Sequence, residues 1–314
     1  MNINGLYLIK NINCGNEILI TNSCCIMKRI IVLSLSLAVS LSLLAQKNKT
    51  YSSLMFNADK VQRTEVTSET GNLYRELAHH GPAIENEWVA YRLYFDHKVS
   101  LDIYNKSKAQ LELDKTGWYP SPEQEKKGFG SDQYKVGPTV GAGGIRLWDD
   151  GKEVFLNPIK LRTARVRTEV NHSYMEMLSE GVAYRGDTID VLVRVTVFSG
   201  KREAKVEAFA FSSKPVQFFT GLNFHKETTD GLGENYIWTW GTHPEDIAAF
   251  SREIGAAVIF NPEDFEKVER GKIYYDMVSK PTNYLEIWVT SAVESEKKIN
   301  TREKFINYLD ELTK

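Results

Sequence analysis

The chain has little cysteine, and all of it lies near the start. The three cysteines are Cys14, Cys24 and Cys25, so every later residue belongs to a cysteine-free region. Small exported domains often depend on disulfides because their hydrophobic cores are thin. This region must depend on its core alone, which a domain of this length can supply. The absence also excludes a thiol enzyme.

Several other signatures are missing. The sequence contains no GxSxG nucleophile elbow, no P-loop and no GxGxxG arrangement, so elbow-type hydrolases and dinucleotide-binding enzymes are not expected. Neither charge sign dominates, because 39 basic residues face 41 acidic ones for a net charge of −2. This balance argues against nucleic acid as the main partner. No run after Ala45 is apolar enough to predict a membrane span.

One long apolar run is present, at residues 30–45. It follows Met27, Lys28 and Arg29, and its polar residues are small serines. A basic segment, an apolar segment and a small residue before the break are the parts of a secretory signal. We expect residues 1–45 to be leader and signal peptide, with the true start at Met27 or, alternatively, a longer natural signal. No cysteine follows the run, so we predict a periplasmic or secreted protein without a lipid anchor.

The remaining sequence is typical of β-structure. Period-two alternation begins in Trp88–Tyr104 and is clearest in Thr188–Phe198, and turn sequences such as Asp149-Asp150-Gly151 separate the strands. Residues 46–70 predict an arm or an edge strand. The one convincing helix is C-terminal, with Thr301 as its N-cap. We therefore predict an all-β chain in which residues 46–314 form a single large antiparallel β-sandwich with a short C-terminal helix.

Four segments carry a resemblance to a known family. They are LAHHGPAIENEWVAYRLYFDHKVSLDI at 77–103, LELDKTGWYPSPEQEKKGFG at 111–130, VGPTVGAGGIRLW at 136–148 and DGLGENYIWTWGTHPED at 230–246. The chain resembles domain-of-unknown-function family 4861, a group of exported proteins of Bacteroidota. The resemblance implies a galactose-mutarotase-like supersandwich and a setting of polysaccharide utilisation, often of uronic-acid glycans. It implies no catalytic residues.

The candidate catalytic residues begin before the first strong strand. His79 and His80 precede a Gly-Pro turn, and Glu85 and Glu87 follow at a spacing that places both carboxylates on one face of an extended chain. Such carboxylates suit an acid and a base for a glycosidic bond. With the histidines they also suit a divalent cation, calcium or zinc, and the sequence carries no other cofactor signature. Alternatively they are solvated or structural.

Candidate substrate-binding residues follow in the next segments. Arg92 and Tyr94 share a strand face opposite Leu93, which we expect to face the core. An arginine beside aromatic rings suits a uronate, or alternatively packs on a tyrosine. Lys135 and Arg146 border the glycine-rich loop, within the loop-rich 111–144 region, and could meet an anionic substrate.

A last group lies further along the chain. His225 ends a predicted strand, where a histidine is well placed for proton transfer at a cleft rim. Trp238 and Trp240 lie two apart on one strand face before His243, which predicts either a sugar platform or core packing with a capping loop.

These residues favour an enzyme acting on oligosaccharides that contain uronic acid, by β-elimination or hydrolysis. In elimination, Arg92 or Lys135 would neutralise the carboxylate, and a histidine or a tyrosine would take the proton, with His80 and His225 as the first candidates. Two alternatives remain: a non-catalytic glycan-binding protein on the same scaffold, and a sugar mutarotase or isomerase. The expected ligand in every case is an oligosaccharide or a monosaccharide.

Overall fold

The fold was obtained as a computed structural model and is described for residues 49–157, 160–244 and 248–314. The predicted signal peptide and the start at Met27 lie outside the described residues. The described strands are β1 (Thr50–Ser53), β2 (Glu65–Ser68), β3 (Ala83–Asn86), β4 (Val89–Leu93), β5 (Leu101–Asn105), β6 (Arg146–Asp149), β7 (Lys152–Val154), β8 (Leu161–Thr168), β9 (His172–Tyr184), β10 (Asp187–Phe198), β11 (Ala204–Phe211), β12 (Phe218–Asn223), β13 (Thr228–Leu232), β14 (Tyr236–Thr242), β15 (Glu253–Ile259), β16 (Phe265–Arg270), β17 (Tyr274–Ser279) and β18 (Tyr284–Val293). The helices are α1 (Leu113–Thr116), α2 (Pro122–Lys126) and α3 (Arg302–Leu312), with 3-10 turns at Ala78–His80 and Pro262–Asp264.

These strands form three antiparallel sheets within the described part of the chain. One has four strands in the order β1-β3-β4-β5, and another has five in the order β16-β17-β12-β6-β7. The largest has nine, in the order β13-β14-β15-β18-β11-β10-β9-β8-β2. Strand β2 is thus the edge strand that the polar composition of residues 46–70 predicts. The predicted all-β class, with antiparallel sheets and a C-terminal helix, is confirmed.

The two smaller sheets pack against the nine-stranded sheet. Strands β1 and β3 contact β9, β4 and β5 contact β18, and β12 contacts β14 and β15. One hydrophobic cluster contains buried side chains from all three sheets, for example Tyr91, Met177 and Met277. Burial of this apolar surface is the dominant stabilising contribution, and described residues contribute no disulfide to it.

The segment Trp88–Tyr104, which gives the first strong strand signal in the sequence, folds as a hairpin of two strands. Strand β4 ends at Leu93 and β5 begins at Leu101. The Asp96 carboxylate accepts a hydrogen bond from the Lys98 backbone N–H at 2.8 Å, a local turn that competes with extended structure. The prediction that only the Leu93 face is buried is wrong, because every residue of β4 is buried.

The C-terminal helix α3 begins as its sequence predicts. The Thr301 side chain accepts a hydrogen bond from the Lys304 backbone N–H, which satisfies one free donor of the first turn. Phe305 and Leu309 are buried under it, whereas Leu312 is 41% exposed. The helix therefore covers one end of the nine-stranded sheet with a narrower apolar stripe than the sequence suggests.

Candidate active site

A strained turn carries the two adjacent histidines. His79 and His80 have φ values of 59° and 61°, a left-handed conformation that few residues other than glycine adopt. Gly81 follows, and a side chain there would collide with the Leu93 carbonyl oxygen, so only glycine fits. The His80 carbonyl accepts from the Phe95 backbone N–H at 2.9 Å. Strained backbone of this kind is characteristic of functional sites, and it fixes where the two rings point.

The two histidines have different environments. His79 is buried and shares a 2.9 Å hydrogen bond with the Ser53 hydroxyl. Burial, and to a lesser extent the charge of Arg92, lowers the pKa of His79 to about 3. A ring held neutral and enclosed in this way orders the turn. The prediction of His79 as a catalytic residue is therefore not supported by its position.

His80 is half-buried and has a defined tautomer. Its ring stacks on Tyr74 with centroids 4.0 Å apart, and its Nδ1 lies 2.7 Å from the Tyr74 carbonyl oxygen. A carbonyl only accepts, so Nδ1 carries the proton and Nε2 keeps its lone pair. Burial lowers the pKa of His80, the Tyr74 carbonyl opposes this, and Arg92 lowers the pKa further. The ring is therefore a neutral base near neutral pH.

Behind His80 lies a buried arginine with two carboxylates. The Arg92 guanidinium bonds Asp102 at 2.6 and 2.9 Å and Asp132 at 3.1 Å. Burial lowers the pKa of Arg92, but Asp102 and Asp132 outweigh it and raise that pKa well above its usual value. The Tyr94 hydroxyl donates to Asp102 at 2.8 Å. Both predicted substrate-binding residues, Arg92 and Tyr94, thus support the site from behind and do not line an open surface.

Tyr119 completes this group and was missed by the sequence reasoning. Its hydroxyl oxygen accepts a 2.7 Å hydrogen bond from Arg92, and its ring lies 6.0 Å from the His80 ring. The residue is 37% exposed. Burial raises the pKa of Tyr119 to about 12, with Arg92 opposing the rise, so the phenol keeps its proton at neutral pH. Its place in the loop-rich 111–144 region was the only signal in the sequence.

A groove opens beside Tyr74, the residue that stacks on His80. It has a volume of about 420 Å³, and its lining includes Tyr74, Arg75, Asp96 and His97. Tyr74 is the link between the groove and the histidine, because its ring stacks on the His80 ring with centroids 4.0 Å apart. Arg75 is exposed, and its guanidinium makes no ion pair with any residue that the structure describes. This positive charge was also missed, because nothing in its local sequence distinguishes it.

A second histidine group lies on the other side of the 131–136 segment. The His225 and His243 rings are 4.5 Å apart, and Tyr134 lies 4.7 Å from His243. His225 Nε2 lies 3.0 Å from the Lys135 carbonyl oxygen and 3.1 Å from the Asn223 amide nitrogen, and His243 Nδ1 accepts from the Lys135 N–H. Burial lowers the pKa of both rings. The predicted residues His225, His243 and Lys135 do come together, but through the Lys135 backbone.

The paired carboxylates are not placed as predicted. Glu85 is fully buried, forms an ion pair with Lys106 and accepts from the backbone N–H groups of Glu112 and Leu113. Glu87 lies beyond the end of β3, is 8% exposed, and accepts from the Gly200 N–H. Glu85 therefore anchors the start of α1. The pair is not open to a glycosidic bond in this structure, which favours the structural alternative over an acid–base pair.

Three predicted binding residues are structural. Trp240 is 4% exposed and packs on Phe305, with centroids 5.8 Å apart, and Trp238 packs against the same cluster under α3. Arg146 is buried, forms an ion pair with Glu153 and bonds the Thr139 carbonyl at 2.9 Å. Trp240 is a core residue and Trp238 is a half-buried neighbour of that core, because α3 packs on their strand, which the sequence could not show. None of the three lines an open sugar platform.

The described ranges contain no cluster of side chains that could bind the predicted divalent cation. Nowhere in them do three or more His, Cys, Asp or Glu side chains converge in a way that could hold a metal ion. His79 and His80 point to different partners, and Glu85 is engaged by Lys106. In the same ranges, no helix is long and apolar enough to cross a membrane.

Comparisons with known proteins agree with the sequence resemblance. The family described as Domain of unknown function (DUF4861) matches residues 38–314. No curated protein matches the sequence. A protein of Klebsiella pneumoniae subsp. pneumoniae MGH 78578 described as aldose 1-epimerase is similar with a TM-score of 0.40 and 7% identity, over 84% of this chain and 95% of that one. A 4-alpha-glucanotransferase from Thermococcus litoralis gives a TM-score of 0.34 and 11% identity, over 68% of this chain and 39% of that one. At such TM-scores neither likeness bears on function.

Proposed function

We propose, from the premise that the chain belongs to the family described as Domain of unknown function (DUF4861), that it is an acid–base enzyme acting on uronic-acid sugars. The reaction we assign is β-elimination. The observation that carries the proposal is the pairing of His80 and Tyr119, whose rings lie 6.0 Å apart. One presents an unprotonated nitrogen and the other a protonated phenol, which are the two states that proton transfer in opposite directions requires.

The step balances without an oxidant or a metal. His80 Nε2 takes the proton from the carbon next to the sugar carboxylate. The electron pair of that C–H bond forms a C=C bond, the C–O bond on the next carbon breaks, and Tyr119 protonates the leaving oxygen. The proton on His80 then returns to the Tyr119 phenolate through solvent. The products are an unsaturated sugar and an alcohol or water.

Recognition of the carboxylate needs a positive charge that is not already balanced. Arg92 does not supply it, because Asp102 and Asp132 together exceed its charge. Arg75 lines the groove beside Tyr74 and is exposed. A guanidinium suits a carboxylate because it can donate two parallel hydrogen bonds. We therefore assign the substrate carboxylate to Arg75.

A second candidate function is mutarotation or isomerisation of a neutral sugar. The observation in its favour is the charge around Arg92, where two carboxylates face one guanidinium. A net negative charge there disfavours a sugar that carries its own carboxylate. The same acid–base pair could move a proton between the anomeric hydroxyl and the ring oxygen. Hydrolysis through two carboxylates has no support, because Glu85 is fully buried. We retain the proposal that the protein works outside the cytoplasm, on the basis of residues 27–45.

The test uses the purified protein with oligosaccharides derived from pectin, alginate and glycosaminoglycans, with and without calcium. Products are followed by mass and by ultraviolet absorbance, and anomer exchange of free sugars by NMR. A new absorbing double bond supports elimination. Anomer exchange without a new bond supports the second candidate. A product heavier by one water, or binding with no product, contradicts the assignment.

Replacing Tyr119 by phenylalanine tests the acid. We expect kcat to fall by about 10²-fold, because proton donation to the leaving oxygen is lost while the ring is kept. Tyr284→Phe is the matched control. Tyr284 is 43% exposed, lies on the nine-stranded sheet, and donates its hydroxyl to Glu207 and Glu286 of that sheet. Equal kcat in both variants would show that Tyr119 is not the acid.

Replacing Arg75 by alanine tests carboxylate recognition. We expect KM for the uronate substrate to rise by about tenfold, the loss of one charge-assisted contact, with kcat nearly unchanged. The methyl ester of the same substrate serves as the control, because it carries no charge for Arg75 to bind. A rise in KM that is the same for acid and ester would remove Arg75 from this role.

A further inference from the structure

A second groove system lies at the other end of β4 and plays no part in the proposed chemistry. Two adjoining grooves of about 290 and 630 Å³ share Trp88, Arg202 and Lys298 in their linings. Trp88 directly precedes β4, whereas Arg92 lies four residues further on, about 13 Å along an extended strand. The grooves are therefore separate from the His80 group.

The charge of these grooves is opposite to that of the whole chain. Seven basic side chains and three acidic ones line them, although the chain has a net charge of −2. Lys106 is neutralised by Glu85, and Arg202 is paired with Glu296 at 2.9 Å. Five exposed lysines remain that form no ion pair with a described residue: Lys108, Lys201, Lys297, Lys298 and Lys304. The grooves thus present unbalanced positive charge.

An aromatic ring lies at the centre of this charge. The Trp88 ring is half-buried. The Arg202 guanidinium lies 5.2 Å from the ring centroid, and the Lys298 ammonium lies 5.9 Å from it. Arg202 is held by Glu296 and by the Ser291 carbonyl at 2.8 Å, so its position is fixed. A half-buried aromatic ring with two cations near it is suited to a ligand with both apolar faces and anionic groups.

We infer that the Trp88 grooves form a second binding site for an anionic oligosaccharide, either sulfated or carboxylated. A sugar ring offers C–H groups to Trp88, and its anionic substituents reach the lysines. The combined volume is in the range of ordinary ligand sites. A nucleic acid is the less fitting ligand, because one short basic patch on a negatively charged chain neutralises few phosphates.

The experiment measures binding by calorimetry with the full chain, independently of turnover. The probes are a chondroitin sulfate tetrasaccharide, an unsulfated hyaluronan tetrasaccharide and a short oligothymidylate. We expect Lys297→Glu/Lys298→Glu to weaken oligosaccharide binding by at least tenfold. Both lysines are exposed, so the fold is retained. The matched control is Lys152→Glu/Lys214→Glu, two exposed lysines outside the grooves, which leaves binding unchanged.

The outcomes separate the ligand sources. Tighter binding of the sulfated probe assigns sulfated glycans, and equal binding of both assigns carboxylated ones as well. Trp88→Ala should weaken binding of whichever probe is preferred, provided that its melting temperature matches the parent. Three results would overturn the inference. They are an equal loss of saccharide affinity in the two double variants, tighter binding of oligothymidylate than of either saccharide, and no saccharide binding at millimolar concentration. None of these results bears on the His80 chemistry, which is scored by product formation.

Discussion

Replacement of His80 by asparagine lowers kcat by about 10²- to 10⁴-fold, the usual contribution of a positioned general base. Asparagine is the appropriate replacement for two reasons. It tolerates the positive φ of 61° at this position better than most residues. Its amide N–H can also replace the Nδ1–H donor to the Tyr74 carbonyl. The variant therefore removes the basic nitrogen and keeps the turn.

The pH profile distinguishes loss of the base from loss of structure. Burial and Arg92 place the pKa of His80 below its usual 6.5, against the opposing effect of the Tyr74 carbonyl. The active form is the unprotonated one, so activity is present above this pKa and is lost as pH falls through it. Tyr119, with a pKa of about 12, remains protonated across the neutral range. The parent should therefore show an acidic limb below pH 6.5 and no loss at mildly alkaline pH.

The matched control is His172→Asn, a half-buried histidine on β9 that packs beside Tyr174 and Phe198. It should leave both kcat and the acidic limb unchanged. The residual activity of His80→Asn should lack that limb. An acidic limb that persists in His80→Asn with nearly full activity would falsify the assignment and transfer the base to His225, the other half-buried histidine bonded through a backbone carbonyl.

The strand elements could be predicted because their signals are local. Thr188–Phe198 and Ala204–Phe211 alternate strictly and correspond closely to β10 and β11. The turn at His79 and His80 was also predictable from the Gly-Pro that follows. Where a side chain formed a local turn, as Asp96 does, the alternation continued through the break and the hairpin was missed.

The site depended on contacts that no local pattern records. Arg92 lies beside tyrosines as expected, but Asp102 and Asp132 enclose it from β5 and from a loop. Tyr119 reaches His80 because its loop folds over Arg92. Trp238 and Trp240 alternate like a surface pair, yet α3 packs on their face from some 60 residues downstream. Long-range packing, which periodicity does not encode, decided each of these outcomes.

Loss of the ammonium group in Lys106→Met lowers the free energy of unfolding by about 3–5 kcal/mol, because it leaves the Glu85 carboxylate buried without its counter-charge. Both side chains are 0% exposed. Lys106 also donates to the Asn86 and Gln110 carbonyls, at 2.6 and 3.0 Å, so several buried acceptors lose their donor together. The quantity is measured by urea unfolding at fixed pH.

The double variant Glu85→Gln/Lys106→Met should recover part of this loss, because the buried charge is then absent. The exposed pair Arg165 and Glu65, with side chains 44% and 48% exposed, is the control, and Arg165→Met should cost about 0.2–1 kcal/mol. Activity separates a structural carboxylate from a catalytic one. If Glu85 only anchors α1, Glu85→Gln lowers stability while kcat per folded molecule is kept. A stable Glu85→Gln protein without turnover would instead show that this carboxylate is catalytic. It would then favour the hydrolytic reaction, which the burial of Glu85 argues against.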